Sequence, residues 1–419
     1  MNAPATQPSP ASFPASTVLT INGGSSSIKF ALFAAHHSPQ LLLRGRIENI
    51  GSREAIFSTH DSNGSEISLQ SVDARDHHAA VIVLMDWIEQ GEQRDQHGLG
   101  GLIGIGHRIV HGGPLYHAPQ RVTSRLLREL QQLTPLDRAH LPLEIRLIEA
   151  FQRRFPQLSQ VACFDTGFFH HLPHLARLLP IPRRYGLHGV RRYGFHGLSY
   201  EFLMGELVRI EGASGAGGRM VLAHLGSGAS LAAMHEGKPI DTSMALTPAS
   251  GVMMGTRSGD IDPGLACYLA RTEGMDAAQF DDMVNTKSGL LGVSETSADI
   301  RELLGREADD PRAADAVALF CYQIRKCIGA FAAALGGLDM LVFTGGIGEN
   351  ATVVRWRICE GLGFLGIELN TECNMQSAAV ISAHAARVKV RVIRTNEESI
   401  IAVATCALLG NNEKPGIAD

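Results

Sequence analysis

Arg108 sits inside the apolar stretch 107–113 (HRIVHGG), where an unpaired guanidinium would cost several kcal/mol. Arg257 lies in the glycine-rich segment 251–263 (GVMMGTRSGDIDP), close to Asp260 and Asp262. Each arginine either pairs with a structural carboxylate or clamps a ligand carboxylate or phosphate, a task its planar fork performs better than lysine. Asp165, in 163–167 (CFDTG), ends an apolar run and faces a glycine turn, a common setting for a catalytic or metal-linked carboxylate. His196, in 193–197 (YGFHG), has glycines to either side and reads as exposed on a loop rather than packed.

Three glycine loops add to this set, because glycine lets backbone N–H groups approach an anion closely. In 22–29 (NGGSSSIK), Asn22 can orient a phosphate or a metal-bound water, Ser25 and Ser27 can donate, and Lys29 adds charge. The second, 226–230 (GSGAS), follows His224 and contains Gly226 and Gly228. The third, 344–350 (TGGIGEN), lies between a predicted strand and a helix N-terminus, which favours an anion or a stacked nucleotide. Each is weak alone; three in one chain make a stronger case. The Walker A pattern GxxxxGK[ST] is missing, which excludes a P-loop ATPase. Residues 361–366 (GLGFLG) fit GxGxxG but follow a helix, so that match is a decoy. The 18 histidines form no metal signature: His107 and His111 lack the HExxH glutamate, and 168–174 (FFHHLPH) is broken by proline.

These groups need a scaffold, and the chain partly repeats itself. Residues 18–30 (VLTINGGSSSIKF) align with 221–233 (VLAHLGSGASLAA), Val18 on Val221, Gly23 on Gly226 and Ser27 on Ser230. Each copy reads as a hairpin with a tip of small residues. They are either two ordinary hairpins or the matching halves of a duplicated domain gripping one polyphosphate. Further strands are predicted over 41–47 and 56–69, turning at 62–64, then a helix over 79–89, a strand over 102–110 and a helix capped by Ser124. After Met220 the order recurs: strands over 221–233 and 239–243, a helix over 311–335 ended by Gly336 and Gly337, a strand over 340–343, the loop 344–350 and a helix over 351–359. Strands, helix, strand, helix in each half predict an α/β fold built twice. Residues 212–218 (GASGAGG) read as a flexible connector and 411–419 as a frayed end.

With 419 residues, 45% of them hydrophobic, the chain has core enough for two or three domains. A net charge of −5 without any Lys/Arg run gives no nucleic-acid footprint. No uninterrupted apolar span of 18 residues is present, so neither a transmembrane helix nor a membrane partner is expected. Residues 1–16 carry four prolines and no charge, and read as a disordered tail rather than a signal peptide. Seven cysteines without CxxC fit reduced thiols and a cytoplasmic location.

Taken in order, 22–30 (NGGSSSIKF), 107–113, 164–166 (FDT), 193–197, 241–263 (DTSMALTPASGVMMGTRSGDIDP), 343–350 (FTGGIGEN) and 395–398 (TNEE) resemble the motifs of the acetate kinase family, over about residues 18–410. The resemblance implies a duplicated actin-like (ribonuclease H-like) α/β fold, two lobes around a nucleotide cleft, and a homodimer. It implies an N-terminal lobe of 17–165 completed by about 398–412, and a nucleotide-binding lobe of 166–397. The implied reaction is reversible, in-line transfer of the ATP γ-phosphoryl group to acetate, giving acetyl phosphate and ADP with Mg²⁺ or Mn²⁺. Arg108 and Arg257 would hold the acid and stabilise the migrating group, His196 would hydrogen-bond it, and Asp165 would orient metal or substrate. Asn22, Ser25, Ser27 and Lys29 would line the phosphate path, with Asn22 and Glu397 toward the metal. Lys29, His224, Gly226, Gly228, Gly346, Gly348 and Asn350 would hold ATP; Val110 and Phe195 would wall the acyl pocket.

The chain departs from the family pattern in three places. Residues 135–139 read PLDRA where the family has PLHNP, so Asp137 stands for a histidine. Its charge would repel phosphoryl oxygens unless it points away or pairs with Arg138, while His140 is near enough to compensate. Ser227 replaces an asparagine, and Leu198 and Tyr200 replace the Thr and His of YGFHGTSH. A propionate- or butyrate-preferring kinase and a catalytically impaired nucleotide-binding relative are the alternatives.

Overall fold

In the computed structural model, which describes residues 16–24, 27–52, 54–93 and 99–410, the 18–30 repeat is a hairpin of β1 (Thr17–Gly23) and β2 (Ile28–Ala34). Ser25, nearly all of the predicted N-terminal tail and the frayed end 411–419 fall outside the described residues. The chain divides into two compact units, one of Met1–Ile109, Ala118–Cys163 and Glu398–Asp419, the other of Val110–His117 and Phe164–Glu397.

In the first unit, β1 and β2 continue as an antiparallel meander through β3 (Gln40–Glu48), β4 (Ala55–Asp61) and β5 (Glu66–Val72). The helix His77–Gln93 leads to β6 (Leu102–Ile109), which lies parallel to β1. With β7 (Gln120–Arg121) and β8 (Ser159–Phe164) the sheet order is β5-β4-β3-β2-β1-β6-β8-β7. Every residue of β1 is buried, as expected of a central strand covered on both faces. Leu19 and Ile21 face a core with Phe30, Phe57, Leu84, Ile88 and Phe151; Val18, with Ala31 and Phe33, packs on Ala402 of the C-terminal helix Glu397–Gly410. The period-2 alternation of a strand thus sorts neighbouring residues into two cores.

The second unit carries β9 (Met220–Leu225), β10 (Ala229–His235), β11 (Lys238–Thr242), β12 (Met340–Thr344) and β13 (Lys389–Val392), in the order β11-β10-β9-β12-β13. The first three are antiparallel, and β12 joins β9 in parallel. The path β3-β2-β1-β6-β8 is therefore repeated strand for strand, which makes the sequence repeat a true duplication and the fold the actin-like α/β arrangement. Val221, Ala223 and Leu225 face one core with Phe320, Ile324 and Ile328; Met220 and Leu222 face another with Tyr200, Leu203 and Leu207.

The helix Pro311–Leu335 starts where the Asp310 side chain accepts from the Arg312 N–H, and stops at Gly336, whose φ of 70° suits glycine. Among the described residues it is the one helix long and apolar enough to cross a membrane, but its Val317, Phe320 and Ile324 lie in the core.

Several expectations need correction. Residues 344–350 are not an open loop: Gly345–Asn350 forms a short helix, closed by a bond from the Ala351 N–H to the Ile347 carbonyl. Residues 212–218 are no free connector, because the helix Gly197–Gly215 continues past a break at Gly212 and the Gly217 carbonyl accepts from the Glu236 N–H. Thr123, not Ser124, caps the helix Ser124–Leu133. Asp165, expected in the N-terminal lobe, groups with the second unit, as does Val110–His117. The reason is bonding within that unit: the Gly112 N–H donates to Thr166 Oγ1, and the His111 ring lies 3.3 Å from the Leu246 carbonyl.

Candidate active site

In the first unit the end of β1 and the end of β6 set three candidate residues side by side. Parallel pairing puts Ile21 level with His107, and Arg108 then reaches across to donate to Asn22 Oδ1 at 3.1 Å. Lys29 pairs with Asn22 across the hairpin and is exposed. At the end of β1 the Gly24 N–H donates to the Ser27 carbonyl, and the His77 ring donates to the Gly24 carbonyl at 2.9 Å. His107 itself points into the core, where burial pushes its imidazole down to about 4 although its bond to Gln160 acts the other way. Asp137 is buried and accepts from both the backbone N–H and the ring Nδ1 of His140. Of the two neighbours the sequence offered, Arg138 and His140, the turn over 137–140 brings the His140 ring to it.

In the second unit the centre is His196. It is only 8% exposed, contrary to the loop reading. The flanking glycines mark close packing rather than solvent: a Cβ on Gly197 would lie 1.9 Å from the Asp165 carbonyl oxygen, and one on Gly194 would meet the Phe169 ring at 2.4 Å. Those contacts draw Asp165, which is fully buried after β8, and the start of the helix Gly197–Gly215 together. His196 caps that helix in the left-handed region (φ 59°), a conformation rare for a residue with a Cβ and held here by its surroundings. Its ring stacks on His224 at 4.3 Å, and its Nδ1 lies 2.9 Å from Ser230 Oγ.

Gly228 explains why this position must be small. A side chain there would come 3.2 Å from His196 Nε2 and 3.1 Å from Arg257 Nη2, so both nitrogens border one point beside the 226–230 turn. Arg257 is anchored by Nη1, which donates to the Pro248 carbonyl at 2.8 Å. Asp260 and Asp262 accept from the Gly251 and Gly264 N–H groups, shaping the loop that carries the arginine.

The third glycine loop adjoins the second. A Cβ on Gly226 would lie 3.9 Å from the Gly346 nitrogen and 4.0 Å from His224 Nε2. Gly345, at φ 76°, turns tightly over the Leu225 carbonyl. Asn350 Nδ2 donates to the Gly346 carbonyl, and the fully buried Arg355 donates to the Gly348 and Glu349 carbonyls. Glu349 Oε1 accepts from both the Gly345 and Thr395 N–H groups, which ties this turn to the segment ending in Glu397. Val110 and Phe195 are both part of the large apolar core of the second unit.

Sequence reasoning missed Ser199, Ser230, Glu349, Arg355 and Thr395. All are polar residues inside or next to the motifs, and their work is to hold backbone and rings, which spacing does not reveal. Among the described residues no group of three His, Cys, Asp or Glu side chains could hold a metal ion.

Residues 17–403 match the acetokinase family. The chain is 42% identical to an acetate kinase of Rhodopseudomonas palustris (strain TIE-1) over 92% of its own length and 96% of the relative's. It is likewise 42% identical to a propionate kinase of Citrobacter rodentium (strain ICC168), over 92% and 95%. The crystal structure of Porphyromonas gingivalis acetate kinase superposes with a TM-score of 0.81 at 36% identity, covering 94% of this chain and all of that one. The chain belongs to the acetokinase family, enzymes that transfer a phosphoryl group from ATP to a short-chain carboxylate.

Proposed function

We propose that the preferred acceptor is acetate and that the reaction runs by in-line transfer with Mg²⁺ as the helper ion. The observation that carries the site assignment is the convergence of His196 Nε2 and Arg257 Nη2 on the space left open at Gly228. Phosphoryl transfer asks for positioning and for cations and donors around the three equatorial oxygens, more than for a strong base. A carboxylate acceptor is already ionised at neutral pH, so no general base is needed. In this reading Arg257 and His196 stabilise the migrating group, and Arg108, oriented by Asn22, holds the acid. Asp165 orients the reactants, Ser25, Ser27 and Lys29 line the phosphate path, and His224, Gly226, Gly346, Gly348 and Asn350 hold the nucleotide.

The amide oxygen of Asn22 and the carboxylate of Glu397 are hard oxygen donors of the kind Mg²⁺ prefers. When bound, the ion would neutralise charge on the β- and γ-phosphates. Val110 and Phe195, apolar and buried in the second unit, would form the wall against the acyl group in this reading. The tie between Asp137 and His140 supports retained activity, since the carboxylate is engaged by its own neighbour. The seven free cysteines support a cytoplasmic setting.

The test is to supply Mg-ATP with acetate, propionate or butyrate and trap the acyl phosphate with hydroxylamine. Acetate should give the highest kcat/KM, by roughly 10- to 200-fold per added methylene. A higher value with propionate or butyrate would overturn the substrate assignment, and no hydroxamate with any acid would overturn the catalytic one.

A further inference from the structure

The phenol of Tyr200 is fully buried at the start of the helix Gly197–Gly215, and its hydroxyl lies 2.7 Å from Ser230 Oγ. Ser230 Oγ in turn lies 2.9 Å from His196 Nδ1. A tyrosine, a serine and a histidine thus stand in series, on one helix, one strand and one cap. We propose that Tyr200 and Ser230 are positioning residues that fix the tautomer of His196, so that the neutral ring carries its proton on Nε2, the nitrogen beside Gly228 and Arg257. The proposal rests on the reading of His196 as a donor to the migrating phosphoryl group and goes one step further, to how that donor is prepared.

The direction of the chain follows from counting donors and acceptors. Burial raises the Tyr200 phenol far above its ordinary range, so it keeps its proton and must donate it. Among the described residues the side-chain partner of the phenol is Ser230, so Ser230 Oγ is the acceptor of the phenol proton. Ser230 is itself fully buried and needs a place for its own hydrogen. Donation to His196 Nδ1 satisfies all three groups at once. Nδ1 is then an acceptor, and a neutral imidazole with an accepting Nδ1 holds its hydrogen on Nε2. The opposite tautomer would turn a lone pair toward the Gly228 space, where phosphoryl oxygens would be repelled. Removing the phenol hydroxyl frees Ser230 to accept from Nδ1–H, so the wrong tautomer becomes available.

Three variants and one spectrum test this. Tyr200→Phe keeps the ring and deletes the hydroxyl; kcat should fall roughly 10- to 100-fold, with KM for ATP and acid within about twofold. Ser230→Ala should do the same, and the double variant should be no worse than Ser230→Ala, because the two act in series. Ring ¹⁵N NMR of histidine-labelled wild-type protein, with the His196 signal assigned by its loss in His196→Gln, should show the Nε2–H tautomer, shifting toward a mixture in Tyr200→Phe. An Nδ1–H resting state in the wild type overturns the proposal whatever the variants do. If His196→Gln collapses kcat while Tyr200→Phe changes neither kcat nor the ring signal, the relay is wrong and the role of His196 stands. If His196→Gln leaves kcat intact, the role of His196 fails and the relay fails with it.

Discussion

His196 shows how a residue's neighbours decide what it can do. Two glycines beside it suggested exposure, yet each is there because backbone or a ring occupies the place of its Cβ. Sequence composition reads glycine as freedom; only the packed chain shows that here it means closeness. His107, in the same motif as Arg108, has the opposite character, with its imidazole taken out of water. Its folded-state value near 4 lies below the ordinary 6.5, so the unfolded chain binds more protons between those values. Stability from this residue is therefore complete above about pH 6.5 and is lost as the pH falls through about 4, an effect on the order of 3 kcal/mol. Denaturation midpoints measured between pH 7 and 4.5 should fall more steeply for the wild type than for His107→Gln. Parallel curves would show that this imidazole does not set the acid limit.

At the scale of elements, the two hairpins were legible because an apolar run, a small-residue turn and a second apolar run obey a period-2 rule that sequence displays directly. Val18 and Val221 proved to lie on corresponding strands, β1 and β9, of two sheets. The short helix Gly345–Asn350 was not legible: its glycines argue against helix by propensity, and bonds from Glu349 and Arg355 hold it. Nor did the sequence reveal where the last helix would dock. Glu397–Gly410 packs on β6 over two glycines, where a Cβ on Gly106 would meet Thr405 Oγ1 at 2.3 Å and Ile401 Cγ2 at 2.5 Å. Gly106→Ala should accordingly destabilise the first unit by about 1–3 kcal/mol in urea unfolding. A midpoint equal to that of the wild type would mean the helix does not rest there.

For the whole molecule, the helices Gly264–Thr272 and Ala277–Thr286 bury none of their residues, although they carry Leu265, Leu269, Phe280 and Val284. Tyr268 is 56% exposed and Ile261 41%. The family resemblance leads to the expectation of a homodimer, and the exposed side chains of this stretch make it the place to test that expectation. Sedimentation should give a dimer for the wild type and a shift toward monomer for Tyr268→Glu; a monomeric wild type would refute it. The motifs made the reaction class legible from sequence, because phosphate handling needs particular residues at particular spacings. Acyl-chain preference was not, because a methylene of pocket volume leaves no mark on spacing.

The account depends most on the fixed cation next to Gly228, so the decisive measurement is turnover of Arg257→Ala with Mg-ATP and acetate, read as hydroxamate. A fall in kcat of roughly 10³- to 10⁵-fold is predicted, with a melting curve like that of the wild type. A folded variant that keeps kcat within about tenfold would contradict the placement of the migrating phosphoryl group beside this arginine.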